Sequence, residues 1–432
     1  MLKYMKKSTR VIILIFCVIS FFVIAPYIVL YSLGYRVDFE TFKITATGGI
    51  YVRAFPQADQ ITIDSKISKK PGLFNNSVFV QSLLPKDHTV SVTKNGYYDY
   101  FKTIGVEIKE VTKLESILLI KKNLSFIDII DNASYFTVAP NNRDVITTSK
   151  GTKGIDLQYT SLDSLSQFKK FNISQSGVVS NIEWSDDSNK ALIEITNLGS
   201  NFYFYFDPQK TNQNFVKLSL LDKNSTLISF NPRDNQSIFY LENGTIYSLK
   251  NNKATLLIKN VVSYEVFDGN IFWTDKAGKI NKSDTAGKLL SQTTENDREI
   301  QYFKAIKNSY KPIFSPDNKH LAYYNNNEIY LYSFNPEDDE KNNVKIFSTK
   351  EQIKNCYWLN NDYLILNVGD KITITEIDYR GEINTITLPQ SITLSNDKKM
   401  DIKNPTVFFN RRDNKIYILV NDSLIASEKV TP

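Results

Sequence analysis

A motif recurs about every 44 residues through the last three quarters of the chain: an aromatic or apolar triplet, a short polar turn, then a second apolar run. The copies are FTVAPNNRDVIT from Phe136, IEWSDDSNKALIEI from Ile182, ISFNPRDNQSIFYL from Ile228, YEVFDGNIFWT from Tyr264, PIFSPDNKHLAYY from Pro312, CYWLNNDYLILN from Cys356 and VFFNRRDNKIYILV from Val407. The residue before each turn is Ala139, Trp184, Phe230, Phe267, Phe314, Trp358 or Phe409, with spacings of 45, 46, 37, 47, 44 and 51. One such unit cannot bury its own apolar faces, whereas stacked units can, and a strand-built repeat of this length predicts the blades of a seven-bladed β-propeller.

Runs such as Phe202–Phe206 (FYFYF) and Ile329–Phe334 (IYLYSF) are apolar on both strand faces, which suits sheets covered on both sides by neighbours. The fourth copy divides into four short strands, the last three joined by Asp275–Gly278 and Asp284–Gly287, two Asp-x-x-Gly turns of hairpin type. The seventh copy is one strand short, while LSFIDII at Leu124–Ile130 precedes the first copy and belongs to none. That segment is expected to close the ring as the outermost strand of the last blade, removing two open sheet edges together. The FSPDNKHLAYY copy resembles the TolB-like and WD-repeat-like propellers of bacterial envelopes, a resemblance that implies a fold and names no ligand.

Val11–Leu33 is an uncharged run of 23 residues flanked by Arg10 and Arg36. A helix of that length spans a hydrocarbon core of ~30 Å. Lys3, Lys6, Lys7 and Arg10 stand on its N-terminal side without an acid among them and supply +4 of the formal +6. The positive-inside bias assigns residues 1–10 to the cytoplasm, 11–33 to a transmembrane helix and the rest to the outside of the cell membrane. Tyr27, Tyr31 and Tyr35 recur at the spacing of one helical face, as interfacial anchoring requires. A cleaved signal peptide is the rival, but the apolar run is long for one and no A-x-A-like site follows it. Only +2 remains for the other 422 residues, too little to form the basic surface that nucleic-acid binding needs.

Residues 45–120 read as short alternating strands punctuated by Gly, Pro and Asn, which predicts a small β-sandwich before the propeller at 122–432. Phe55-Pro56-Gln57-Ala58, Leu84-Pro85-Lys86 and Lys94-Asn95-Gly96-Tyr97 follow one another as turn, turn and close. In this order they resemble the PEGA domain, a β-sandwich module of bacterial and archaeal envelope proteins. The resemblance implies a spacer or adhesion module without a catalytic constellation. Tyr97, Tyr98, Tyr100 and Phe101 are expected to pack a small core rather than to form a ligand platform. The fold class is thus all-β plus one transmembrane helix.

Chemistry is sparsely written. There are two histidines, His88 and His320, in different expected domains, and two cysteines, Cys17 and Cys356, of which the first lies in the apolar run. A histidine-based triad and a multi-histidine metal site are nearly excluded by that count, and a disulfide within the outer region is excluded. Ser166–Lys169 and Ser395–Lys398 match S-x-x-K, and Glu337, Asp338, Asp339 and Glu340 form an acidic run; chance and a solvated loop explain them. Trp184 and Trp358 share one position of the repeat, which favours packing over sugar stacking. No catalytic, cofactor-binding or metal-ligating residue is named on this basis. The expected role is a membrane-anchored extracytoplasmic binding or scaffolding protein of the cell envelope with a protein or glycan partner. The alternative is an envelope hydrolase of propeller type with carboxylates in its channel; a trans-envelope sensor is a third reading, disfavoured by the short cytoplasmic tail. For the topology, alkaline phosphatase fused to the C-terminus should be active in cells, and a reporter that works only in the cytoplasm should be dark; the reverse result would overturn it.

Overall fold

The computed structural model describes residues 7–72, 75–164, 167–211, 213–222, 224–291, 298–308, 310–334, 343–395 and 398–431. The chain is mostly β-strand and divides into two compact units. The first holds the chain up to Asn123 together with Asp378–Ile386; the second holds Leu124–Ile377 and Thr387–Val430.

The first unit begins with helix α1 (Lys7–Ser32), whose stretch Thr9–Ser32 has a mean hydropathy of 2.9 and is not covered by other parts of the protein. Such a helix is long and apolar enough to cross a membrane, as an anchor or as a signal sequence. The Tyr27 and Tyr31 rings lie 6.1 Å apart, tilted to one another, but Tyr35 has left the helix, so the expected three-tyrosine face has two members. Beyond α1 come β1 (Tyr35–Asp38), β2 (Lys43–Ala46), β3 (Gly48–Phe55), β4 (Gln60–Ile63), β5 (Ile67–Lys69), β6 (Ser77–Leu83), β7 (Asp87–Thr93), β8 (Tyr100–Gly105) and β9 (Val111–Leu118). β1 and β2 form a hairpin; β6-β3-β9 and β5-β4-β7-β8 form two sheets. Their inward residues, among them Ile50 and Val52 of β3, Ile61 and Ile63 of β4, Val90 and Val92 of β7 and Leu114 of β9, share one core. Alternation along each strand is what sends every second residue there.

Of the four aromatics expected in this core, Tyr100 is buried and Tyr97 packs against it, whereas Phe101 is exposed. Phe101 follows Tyr100 along β8, so its side chain leaves on the opposite face. Asn384 of the later segment pairs with the Phe101 backbone there, its Oδ1 accepting from the amide at 3.3 Å and its Nδ2 donating to the carbonyl at 2.6 Å. Lys102 is fully buried and its Nζ donates to the carbonyls of Asp378 (2.7 Å) and Glu382 (3.2 Å). Buried His88 is held at both ring nitrogens. Nε2 lies 2.8 Å from the Leu84 carbonyl and Nδ1 2.6 Å from Asp64 Oδ2. Burial works to raise the Asp64 carboxyl, but the bonds from His88 and from the Thr89 amide win and hold it below the usual range.

In the second unit the described residues form seven four-stranded sheets, six of them simple antiparallel meanders. The repeated triplet is the end of the first strand in each, as at Val178–Trp184 and Lys311–Phe314, and the second apolar run is the next strand. The polar turn between them is built in the same way in different copies. Ser185 Oγ donates to Asp187 Oδ1 at 2.6 Å and accepts the Lys190 amide; Ser315 Oγ does the same with Asp317 and the His320 amide. Asn142, Ser188, Asn318 and Asn414 take the left-handed backbone that closes this turn, which short polar residues tolerate best. The two Asp-x-x-Gly turns are also alike: Asp275 and Asp284 each accept two backbone amides, and Gly278 and Gly287 sit at positive φ.

The face-to-face packing is explicit in strand Ser200–Phe206. Phe202, Phe204 and Phe206 join a core with Ile146 and Leu157 of the first sheet, while Tyr203 and Tyr205 join one with Phe230 and Ile238 of the third. Sheet-to-sheet bonds continue round the unit: Tyr264 donates to the Leu227 carbonyl, Trp358 Nε1 to the Ile313 carbonyl at 3.0 Å, and Asn367 Nδ2 to the Pro405 carbonyl at 2.8 Å. The last sheet meets the first through Phe408 on Phe136 (6.5 Å) and Asn410 Nδ2 to the Asn142 carbonyl (3.0 Å).

Strand β10 (Phe126–Asp131) pairs antiparallel with Ser423–Lys429, making the seventh sheet four-stranded from both ends of the unit. Two elements among the described residues of this unit stand outside the four-stranded sheets: the two-stranded hairpin of Ser391–Thr393 and Lys399–Asp401, and a helix. Helix α2 (Arg298–Lys307) lies between the fourth and fifth sheets, with Phe303 against Phe272 at 6.4 Å and Glu299 paired to Lys282 at 2.7 Å. Deleting residues 122–130 should strip β10 from the seventh sheet, expose its edge and loosen the first and seventh sheets together; a markedly lower melting temperature or aggregation is the expected readout.

Candidate functional site

A cavity of about 370 Å³ opens between the second and third sheets. Its floor comes from two neighbouring strands, Val178–Trp184 and Ala191–Asn197, in which Asn181 pairs with Glu194 and Glu183 with Leu192. Opposite residues of an antiparallel pair share a face, and so do residues two apart, so these four side chains project together into the cavity. Asn201, Tyr203 and the stretch Ser225–Ile228 complete the lining.

The two glutamates differ in setting. Glu194 Oε1 accepts from Asn201 Nδ2 (2.7 Å) and Tyr203 OH (3.2 Å), and Thr196 Oγ1 donates to Asn201 Oδ1 (3.0 Å), which fixes the amide's orientation. Burial pushes the Glu183 carboxyl up to about 7; the Phe230 amide, donating to Oε1 at 3.2 Å, opposes this, and the charges of Glu265 and Asp186 add to it. Glu265, on the first strand of the fourth sheet, is likewise pushed up to about 7 by burial. Burial, with the charge of Glu265 adding to it, pushes the hydroxyl of half-buried Tyr302 on α2 up to about 12. Burial thus raises both carboxyls, and the charge of Glu265 adds to the rise at Glu183.

At the mouth, Leu227 adopts φ 49°, a left-handed conformation rare for a branched residue, and remains half exposed. Its carbonyl is pinned by the Tyr264 hydroxyl, and its flanking residues line the cavity. The site is therefore shaped by a backbone that the neighbouring sheet holds in place.

The residues weighed in the sequence fall elsewhere. His88 and His320 belong to different units, and Trp184 and Trp358 are buried between sheets. Among the described residues no group of three or more His, Cys, Asp or Glu side chains could hold a metal ion. Ser166 and the run Glu337–Glu340 lie outside the described residues, as does part of Ser395–Lys398. Glu183 and Glu265 carry a signal of their own: each is a carboxylate inside an otherwise apolar first-strand run, IEW and YEVF.

No family model matches the chain, and no curated protein does. Solved structures similar to it include the β-propeller domain of Cps50 (Swd1) from Myceliophteria thermophila, at 8% identity and a TM-score of 0.42 over 71% of this chain and 100% of that one. A streptogramin B lyase is similar at 13% identity and a TM-score of 0.42, over 71% of this chain and 98% of that one.

Between about pH 4.5 and 7 the folded protein keeps protons on Glu183 and Glu265 that the unfolded chain has released, so stability falls as pH rises through this window. Glu183→Gln removes its share of that loss. Its melting temperature should exceed the parent's at pH 8 and approach it at pH 5; equal values at both would show that Glu183 ionises normally.

Proposed function

We propose that the protein is a single-pass membrane protein whose two folded units stand outside the cell membrane, the second being a seven-bladed β-propeller that binds an envelope partner. In this reading the first unit is a PEGA-like sandwich acting as a spacer, and α1 is retained as the anchor. The observation that carries the binding role is the cavity between the second and third sheets, concave, polar and lined by carboxylates with unequal surroundings. Glu183 and Glu194 are acceptors when ionised, so the cavity favours a donor-rich group: the hydroxyl and amino groups of a glycan, or a lysine side chain of a protein. Binding should be seen as a rise in melting temperature of the full chain on titration with envelope glycan fragments or lysine-bearing peptides. Glu194→Gln should weaken it about tenfold or more, since it leaves Asn201 and Tyr203 without their charged acceptor. A shift that survives both Glu194→Gln and Tyr203→Phe would place the ligand elsewhere.

A hydrolase is the second reading, favoured by one observation: an acid held near 7 shares a cavity with a second carboxyl group. Diagonal neighbours on a sheet face lie roughly 7 Å apart, within the range that general acid and base carboxylates occupy in inverting glycosidases. Product release from envelope glycan that disappears in both Glu183→Gln and Glu194→Gln, with binding retained in Glu183→Gln, would establish it. Binding without turnover in the parent would leave the protein as a scaffold.

A further inference from the structure

The end of the first unit that carries α1 is apolar in a way that the fold does not require. The helix is fastened there at one point. Arg36 Nη1 donates to the Tyr31 carbonyl in the last turn of α1 (2.8 Å), its guanidinium lies 3.5 Å from the Tyr31 ring centroid, and Nη2 donates to Ser82 Oγ on β6 (3.0 Å). The Gly34 carbonyl accepts both the amide (2.9 Å) and the hydroxyl (2.6 Å) of Thr47. Exposed apolar side chains stand around this fastening, among them Phe39 (78% exposed) and Phe42 (84%) at the tip of the β1–β2 hairpin, and Ile108 (53%) in the loop between β8 and β9.

None of these belongs to a loose segment. Asp38 accepts the Glu40 amide (2.9 Å) and the Thr41 hydroxyl (2.7 Å), which shapes the tip, and Phe42 sits at φ 55°, a conformation an aromatic residue seldom takes. Lys86, on the β6–β7 turn, holds Glu40 at 2.6 Å, and the Lys109 amide donates to the Thr47 carbonyl at 3.1 Å. The hairpin and the β8–β9 loop are thus tied to the stretch of chain that leaves the helix.

We infer that this end of the unit is a second membrane contact: Phe39, Phe42 and Ile108 seat in the interfacial layer of the bilayer that α1 crosses. The inference rests on α1 being a retained anchor. Reach supports it. The 24-residue apolar span rises about 36 Å, more than the hydrocarbon core of about 30 Å, so its last turn lies in the headgroup layer. The hairpin starts three residues later, and a four-residue strand carries its tip no further than roughly 13 Å. Aromatic and aliphatic side chains presented at that depth partition into the headgroup–acyl boundary. Two such contacts flanking a helix would hold the unit at a fixed height and orientation, as a spacer needs.

The test uses the full chain in phosphatidylcholine nanodiscs, with Cys17→Ser as background, since Cys356 is buried. Single cysteines at Phe42→Cys, Phe39→Cys, Ile108→Cys, Ile19→Cys and Asn95→Cys are labelled with a polarity-sensitive nitrobenzoxadiazole dye. Quenching by doxyl lipids then reads depth. Labels at 39, 42 and 108 should be blue-shifted and quenched most by a shallow doxyl group, the label at 19 by a deep one, and the label at 95 by neither. Water-like emission at 39, 42 and 108 with position 19 still quenched would overturn the inference and leave the anchor standing. Loss of quenching at 19 would overturn the anchor and the inference together. A blue shift at 42 without lipid quenching would assign the patch to a protein neighbour, which also overturns it.

Discussion

The second unit depends on one pairing. β10 lies beside Ser423–Lys429 in the register Phe126 to Ser427 and Asp131 to Ser423, joining strands almost 300 residues apart. Six sheets are each made from one continuous stretch and touch mainly their neighbours; a linear stack of them would leave two faces bare. The pairing makes the seventh sheet from both ends of the chain, and Phe408 on Phe136 then covers the first sheet. Both faces of each sheet can be apolar only because the stack has no end.

That constraint explains why polar chemistry concentrates where it does. A strand covered on both faces has few places for a charge, so a carboxylate on an inner strand either meets a donor or keeps its proton. Glu183 does both in part: it accepts the Phe230 amide of the next sheet and titrates near neutrality. The cavity is bounded on its other side by Ser225 and the start of the third sheet's first strand, Thr226–Ile228, facing Asn181 and Glu194.

The first unit solves a different problem with the same alternation rule. Its two sheets share one core and leave their outer faces to water, to Asp378–Ile386 or, at the end nearest α1, to an apolar rim. Lys102 shows the cost of covering a polar position: once buried, its ammonium must be met by the Asp378 and Glu382 carbonyls. Gly381 shows how close that segment comes, since a Cβ there would lie 2.0 Å from the Thr103 carbonyl oxygen.

Much of this was written locally. The repeat, the two Asp-x-x-Gly turns, the spare strand at Leu124–Ile130 and the apolar helix are patterns of neighbouring residues, and strand alternation and turn chemistry act over a few residues. What the sequence could not show depends on residues brought together from afar. Phe101 reads as a core aromatic until β8 is paired and its side is fixed; Tyr35 reads as helical until α1 ends three residues before it. Helix α2 carries no repeat signature, because its apolar face of Ile300 and Phe303 has meaning only against the fourth sheet. Glu183 and Glu194 are ordinary acidic residues eleven apart in sequence. Only the pairing of their strands puts them on one face, and only the third sheet closing over Glu183 removes the water that would keep it charged.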